Sequence, residues 1–282
     1  MAPRPAWKGY LKLSLVTCAV ELSNATTQSD KVSFRTLNRS TGNTVKRQYV
    51  DASTGKPVGE KNEVRGYEVG NDEFVLIEDD EIEAVQIESS HTLSLDSFVA
   101  KCEVDEVYLD TPYYLAPADK VSEEAFAVIR EALSRRKMAG IARIVLFRRE
   151  RPVLIEPFGK GMLLTTLRYD KTVRAPEAVF VDIQSIQTDK EMLRMAEGIV
   201  ERKKGTFAPD TFEDPYENAL IRLIKAKKAG KKVAATKSAP KPSNVVNLFD
   251  ALKKSLEDQD KPKSGKDGPG GNKPSSRKKK SA

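Results

Sequence analysis

The feature that most limits how this chain can fold is a break in composition near residue 225. Beyond it, residues 225 to 282 hold 17 Lys and Arg against 5 Asp and Glu, a net of +12, and Lys, Ala, Gly, Pro and Ser dominate. Such a stretch cannot bury enough apolar surface to offset chain entropy, so it is expected to be disordered and to leave folding to residues 1 to 224. That body holds 31 basic against 36 acidic residues, a net of −5, so the overall +7 is a sum of opposite parts. An acidic body with a cationic arm suits a polyanionic partner, because released counterions drive the arm onto phosphates without reading sequence. Nucleic acid is the leading partner, with an anionic membrane surface behind it.

The body is long enough, and at 39% apolar residues rich enough, to bury a substantial core. Two cysteines, Cys18 and Cys102, fit a reduced compartment. The apolar run from Tyr10 to Leu22 is broken by Lys12 and Glu21 and alternates like a strand, which argues against a signal peptide. No stretch approaches the roughly 20 apolar residues of a membrane span. A cytoplasmic protein associated with the nucleoid is expected.

Much of the first half reads at period two. Leu11, Leu13 and Leu15 alternate with polar residues, and Val32, Phe34 and Thr36 do the same, so both segments suit half-buried strands. Val45 to Val50 ahead of Ser53-Thr54-Gly55-Lys56-Pro57 suggests a hairpin. Further strands are expected at Gly66–Val69, Phe74–Ile77, Thr92–Val99, Ile141–Arg148, Val153–Glu156 and Met162–Leu167. So many short strands with tight links point to an antiparallel barrel or sandwich, since closure removes exposed edges.

Helices are expected where apolar residues recur at helical spacing. Ser122 precedes Phe126, Ile129 and Leu133; Thr188 and Glu191 suggest a capping box ahead of Leu193, Ala196 and Val200; Asp214-Pro215 opens another helix. Within the tail, Val245, Leu248, Phe249, Leu252 and Leu256 form one amphipathic island over residues 244–257, too short to be stable alone and suited to docking. The expected organisation is a body over 1–230 that includes C-terminal helices at about 189–229, a linker at 231–243, the island, and a Lys-rich tail at 258–282.

Enzymatic signals are poor, and no cofactor or metal is expected. His91 is the single histidine and reads as a structural or surface residue. Gly159-Lys160-Gly161 reads as a hairpin tip rather than a phosphate cradle, and Glu78-Asp79-Asp80-Glu81 as a helix start rather than a metal site. Tyr113 and Tyr114 read as a core anchor with its partner rather than a base-stacking pair, and Trp7 as packing. From Gly66 to Asp110 there are 14 acids and one base, Lys101. Cations gather in two windows flanking that block: Lys31 to Arg65, 8 basic against 3 acidic residues, and Arg130 to Arg151, 8 against 2. Candidate phosphate contacts are Lys31, Arg35, Lys46, Arg47, Lys56 and Arg65 in the first window, and Arg135, Arg136, Lys137, Arg143, Arg148 and Arg149 in the second. Lys261, Lys263, Lys266, Lys273, Arg277, Lys278, Lys279 and Lys280 are the candidates in the tail. No base-reading module is evident, so contacts to sugar and phosphate should dominate.

The ordered set Trp7-Lys8-Gly9, Leu13-Ser14-Leu15-Val16, Gly66-Tyr67-Glu68, Glu88-Ser89-Ser90, Phe98-Val99, Tyr108-Leu109-Asp110 and Pro112-Tyr113-Tyr114-Leu115 resembles the bacterial Ku proteins of DNA non-homologous end joining. Gly140-Ile141-Ala142-Arg143, Leu167-Arg168-Tyr169, Glu191-Met192 with Ala196, and Asp214 with Tyr216 extend the match over about 200 residues. The resemblance implies a mixed, β-rich fold: an antiparallel β-barrel with an extended bridge, flanking helices, a C-terminal helical arm and a disordered basic tail. It implies a non-enzymatic homodimer whose two chains form a ring threaded over double-stranded DNA ends. It also implies recruitment of an ATP-dependent DNA ligase, with the region resembling Val245 to Leu256 in that contact, and a tail that adds DNA affinity. Some members carry cysteine pairs where this chain has Arg47 to Glu60, and without them no zinc role is inherited. The alternatives are a nucleoid-coating protein and, behind it, a nuclease using the Glu78 to Glu88 carboxylates.

Overall fold

The computed structural model describes residues 4–27, 31–86 and 91–231, together with Phe249, residues 251–253 and Ser255. The chain divides into two compact units, Met1–Asp182 and Ile183–Ala282. Along the first unit run β1 (Trp7–Leu13), β2 (Val16–Asn24), β3 (Arg65–Gly70), β4 (Glu73–Ile77), α1 (Asp79–Ala84), β5 (Thr92–Ser94) and β6 (Ser97–Ala100). They are followed by β7 (Leu109–Pro117), α2 (Ser122–Arg136), β8 (Met138–Leu146), β9 (Arg149–Phe158), β10 (Gly161–Leu167) and α3 (Pro176–Phe180).

Eight strands form one sheet in the order β5-β1-β2-β7-β10-β9-β8-β6, every pairing antiparallel except β1 with β5. Its two outer strands are consecutive in the chain, and the residues joining them tie the edges together. Leu95 donates its N–H to Lys12 O on β1 at 2.9 Å, and Asp96 donates to Ile141 O on β8 at 3.4 Å. A single bent stretch therefore serves both edges and curls the sheet into a barrel, which removes the open rows of backbone groups that edges would leave. Gly140 makes room for the bend, since a Cβ there would meet Leu95 Cδ2 at 2.6 Å.

Inward residues alternate as period two requires. Leu11, Val20, Leu22, Leu93, Ile155 and Leu164 are fully buried, and α2 adds Phe126, Ile129 and Leu133, the stripe its sequence predicts. Trp7 belongs to this core, and its ring lies against Gly9, where any Cβ would collide with the indole and with His91 O. Tyr113 is buried, while Tyr114 faces outward and stacks on Phe158. Cys18 and Cys102 are both free; burial, then the nearby Asp119 charge, pushes the Cys18 thiol up and keeps it protonated and unreactive.

Several local expectations need correction. Leu15 continues the alternation on paper but stands in the β1–β2 turn behind left-handed Ser14, 96% exposed. Val32 to Thr36 forms no regular strand, its pairing being limited to the Leu37–Thr44 bridge. The turn expected after Val50 is present: Val50 pairs antiparallel with Pro57, Asp51 donates its N–H to Lys56 O and Val58 to Tyr49 O, each at 2.9 Å, though the pairing is too short to make regular strands. Ser122 does not cap α2: its Oγ accepts from Ala19 N–H on β2 at 3.0 Å, while Asp119 Oδ1 accepts from Ser122 N–H at 2.8 Å. That bond holds the Asp119 carboxyl below its ordinary value.

The second unit holds α4 (Lys190–Arg202) and α5 (Pro215–Lys228), neither with a buried residue. The α4 cap is Asp189 rather than Thr188, accepting from Glu191 and Met192 N–H. Asp214 caps α5 with Pro215 at its first position, as expected. In the island, Phe249, residues 251–253 and Ser255 are helical with Phe249 and Leu252 half-buried, and Val245, Leu248 and Leu256 lie outside the described residues. So do the eight tail cations, Lys261 to Lys280. Among the described residues no helix is long and apolar enough to cross a membrane.

Candidate nucleic-acid interface

The first cationic window lies in the long excursion between β2 and β5, an arm in which no described residue from 31 to 86 is buried. Its turns are built by short polar side chains. Asp51 accepts from Thr54 N–H at 2.7 Å and Ser53 N–H at 3.0 Å, and these bonds, that to Thr54 foremost, hold its carboxyl below the ordinary value. Gly42 and Gly55 supply the left-handed positions. The Leu37–Thr44 bridge brings Arg35 and Arg47 to one concavity with Thr36, Thr44 and Val45, and Lys46 adjoins them. Arg65, on β3, is instead engaged by Asp79 at 3.3 Å. Among the described residues, Lys31, Arg35, Lys46, Arg47 and Lys56 take part in no ion pair.

The second window is one segment in sequence but two places in the fold. Arg135, Arg136 and Lys137 end α2, whereas Arg148 and Arg149 sit at the β8–β9 turn, the whole of nine-residue β8 away, roughly 25–30 Å. Arg135 pairs with Glu131 at 2.9 Å. Arg136 rims an apolar groove with Leu13, Phe98 and Met138, and Lys137 closes the helix in the left-handed conformation. Arg143, mid-strand, is held by Glu150 at 3.4 Å. The acids of α1 are likewise engaged locally: Glu81 accepts from Glu78 N–H at 2.9 Å, Asp80 from Glu81 N–H, and Asp79 from Arg65.

Sequence reasoning met Arg168 only as part of the family resemblance and gave it no role. Its guanidinium donates to Val107 O, Leu109 O and Asp110 Oδ1, and so clamps the start of β7 to the end of β10. Next to it Tyr108 donates its hydroxyl to Asp170 at 2.9 Å, which holds the phenol above its ordinary range, and Tyr169 donates to Glu150 O. These residues line a cleft shared with Glu103, Asp105 and Arg143. Phe147, at the β8–β9 tip, was passed over too; only its exposure in the fold sets it apart.

A barrel closed by one bent strand, with a cationic arm inserted between two of its strands, matches a known description. The model of the Ku70/Ku80 beta-barrel domain covers residues 12–195. The chain belongs to the Ku family. "Non-homologous end joining protein Ku" of Bradyrhizobium sp. (strain ORS 278) is 48% identical over 261 residues, 93% of this chain and 89% of the relative. The proteins of that name from Cereibacter sphaeroides, 46% identical over 94% of this chain and 100% of the relative, and Methylocella silvestris, 44% over 91% and 96%, agree. Among solved structures, the SPOC domain of human PHD-finger protein 3 overlays 58% of this chain and 95% of its own at 9% identity, with a TM-score of 0.29.

The Ku resemblance read in the sequence now has physical content. Trp7-Lys8-Gly9 needs its glycine for the indole and His91 O; Gly140 leaves the space that the Leu95 side chain fills; Tyr108-Leu109-Asp110 and Leu167-Arg168-Tyr169 meet through Arg168. The last two join residues far apart in the chain, so they mark the barrel rather than a local turn.

Proposed function

We propose that the chain is a non-enzymatic clamp for double-stranded DNA ends, acting in non-homologous end joining as a homodimeric ring and recruiting an ATP-dependent DNA ligase. The observation that carries this reading is the arm inserted in a Ku barrel: Lys31, Arg35, Lys46, Arg47 and Lys56 have no acid partner among the described residues, and its large apolar residues lack cover. Phe34, Tyr49, Tyr67 and Leu76 are 64–70% exposed, far more than a lone soluble chain leaves in one stretch, so a second copy is the natural cover. A ring lined by Lys31, Arg35, Lys46, Arg47 and Lys56 would hold duplex by its phosphates at any sequence. End preference would then come from shape, because a closed ring loads only where the duplex stops. Such a protein would be associated with the nucleoid.

The test is binding to one DNA as a linear fragment and as a closed circle, with magnesium present. Strong preference for the intact linear form is expected; equal binding would indicate a nucleoid-coating protein, and cleavage a nuclease. Residues 244–257 are assigned to ligase docking and 258–282 to a sequence-blind tether. Replacing Leu248, Phe249 and Leu252 with Ser should spare DNA binding and reduce ligase stimulation. Deleting 261–282 should weaken binding and flatten its salt dependence, and an unchanged slope would remove the tail from the interface.

A further inference from the structure

The β8–β9 turn departs plainly from local preference. Two-residue hairpin turns with both residues left-handed favour Asn-Gly or Asp-Gly, yet here Phe147 (φ 52) and Arg148 (φ 66) occupy them, between the paired Leu146 and Arg149. A left-handed phenylalanine crowds its own backbone. Burial gives little back, since Phe147 is 73% exposed. The fold therefore gains little from this ring, and strain kept at an exposed tip points to work done outside the chain. Charge narrows what the tip meets. Among the described residues Arg148 and Arg149 take part in no ion pair, and the neighbouring acid, Glu150, is occupied by Arg143.

We propose that the Phe147–Arg148 tip is a minor-groove probe for duplex DNA; this rests on the DNA-binding reading above. A groove about 6 Å wide admits neither a helix nor a β-ribbon, but it admits side chains presented at the end of a hairpin. Its negative potential draws in an arginine, and an apolar ring beside it wedges against sugars or a base step. The groove's nearly degenerate pattern suits a protein that ignores sequence. A two-residue turn between paired strands also holds the ring in place beforehand, so little freedom is lost on binding.

The decisive variant is Phe147→Asn in the full chain. Asparagine suits the left-handed conformation, so the fold should be no less stable, and no charge changes. Binding to a linear A·T-rich duplex is measured by fluorescence anisotropy with and without netropsin, which fills the A·T minor groove. F147N should bind about tenfold more weakly than the unsubstituted chain while its melting temperature holds or rises. Netropsin should weaken the unsubstituted chain by a similar factor and F147N hardly at all. Equal affinities, or equal netropsin effects on both proteins, would overturn the probe while leaving the clamp standing. Failure of the unsubstituted chain to bind linear duplex would overturn both.

Discussion

The barrel and the arm are both written in alternating apolar residues, yet they end in opposite surroundings. In the barrel Leu11, Val20, Leu93 and Ile155 are fully buried; in the arm no described residue from 31 to 86 is buried, and Phe34 and Tyr49 stand 70% exposed. Their charges differ in the same sense, with exceptions on both sides. Arg135, Arg143 and Arg168 of the barrel are each engaged by a carboxylate, whereas Arg35, Lys46 and Arg47 of the arm are not, among the described residues; Arg65 of the arm, paired with Asp79, and Arg148 and Arg149 at the barrel's β8–β9 tip, unpaired, run the other way. A region that satisfies its own side chains is a scaffold; one that leaves both apolar and cationic groups unsatisfied is built for what it meets.

The sharpest way to break this contrast is by truncation. Leu11→Ala should destabilise the first unit by about 2–5 kcal/mol, through reduced burial and a residual cavity, with Trp7, the single tryptophan, reporting denaturant unfolding. Tyr67→Ser in the arm, at protein concentrations low enough that two copies do not associate, should change that transition by less than about 0.5 kcal/mol. A larger loss from Tyr67 would mean the arm belongs to the barrel's core after all.

Next in size is assembly. The triple change of Phe34, Tyr49 and Tyr67 to Ser should shift sedimentation from dimer toward monomer with the barrel transition unmoved. A mass unaffected by all three would remove the arm from the interface.

Smaller again is the ion-pair contrast. Changing Arg35, Lys46 and Arg47 to Gln should lower the slope of log affinity against log salt by about 0.9 for each phosphate that is no longer neutralised. The same change at Arg135 and Arg143 should lower it less, since Glu131 and Glu150 already partly neutralise them. The reverse ranking would move the interface from the arm to the barrel.

The smallest effect belongs to Asp119. Its folded pKa is lowered, chiefly by the Ser122 N–H bond, so its contribution to stability is present above the ordinary carboxylate value and is lost as pH falls through the folded one. Asp119→Asn should therefore lower stability slightly at neutral pH and leave it nearly as before below the folded pKa, which flattens the acid limb of the stability profile. An unaltered acid limb would mean that this bond does not couple to folding.

Signals confined to a few residues were legible beforehand. The Phe126–Ile129–Leu133 stripe, the Asp214-Pro215 helix start and the Gly159-Lys160-Gly161 tip were readable because each depends on spacing within a turn or two. Val32 to Thr36 misled for the opposite reason: alternation describes a strand only if another strand lies beside it. The second cationic window misled similarly, since closeness in sequence hid the length of β8 between its two ends.

The chain alone therefore determined the split between acidic body and cationic tail, the β-rich character and, through residues scattered over its length, the family. Tertiary structure decided which cations stay without acid partners, why Gly9 must be glycine, and how one bent strand joins both sheet edges. Propensity and charge act between near neighbours along the chain. Ion pairing, steric room and edge closure act between residues that only folding brings within a few ångströms.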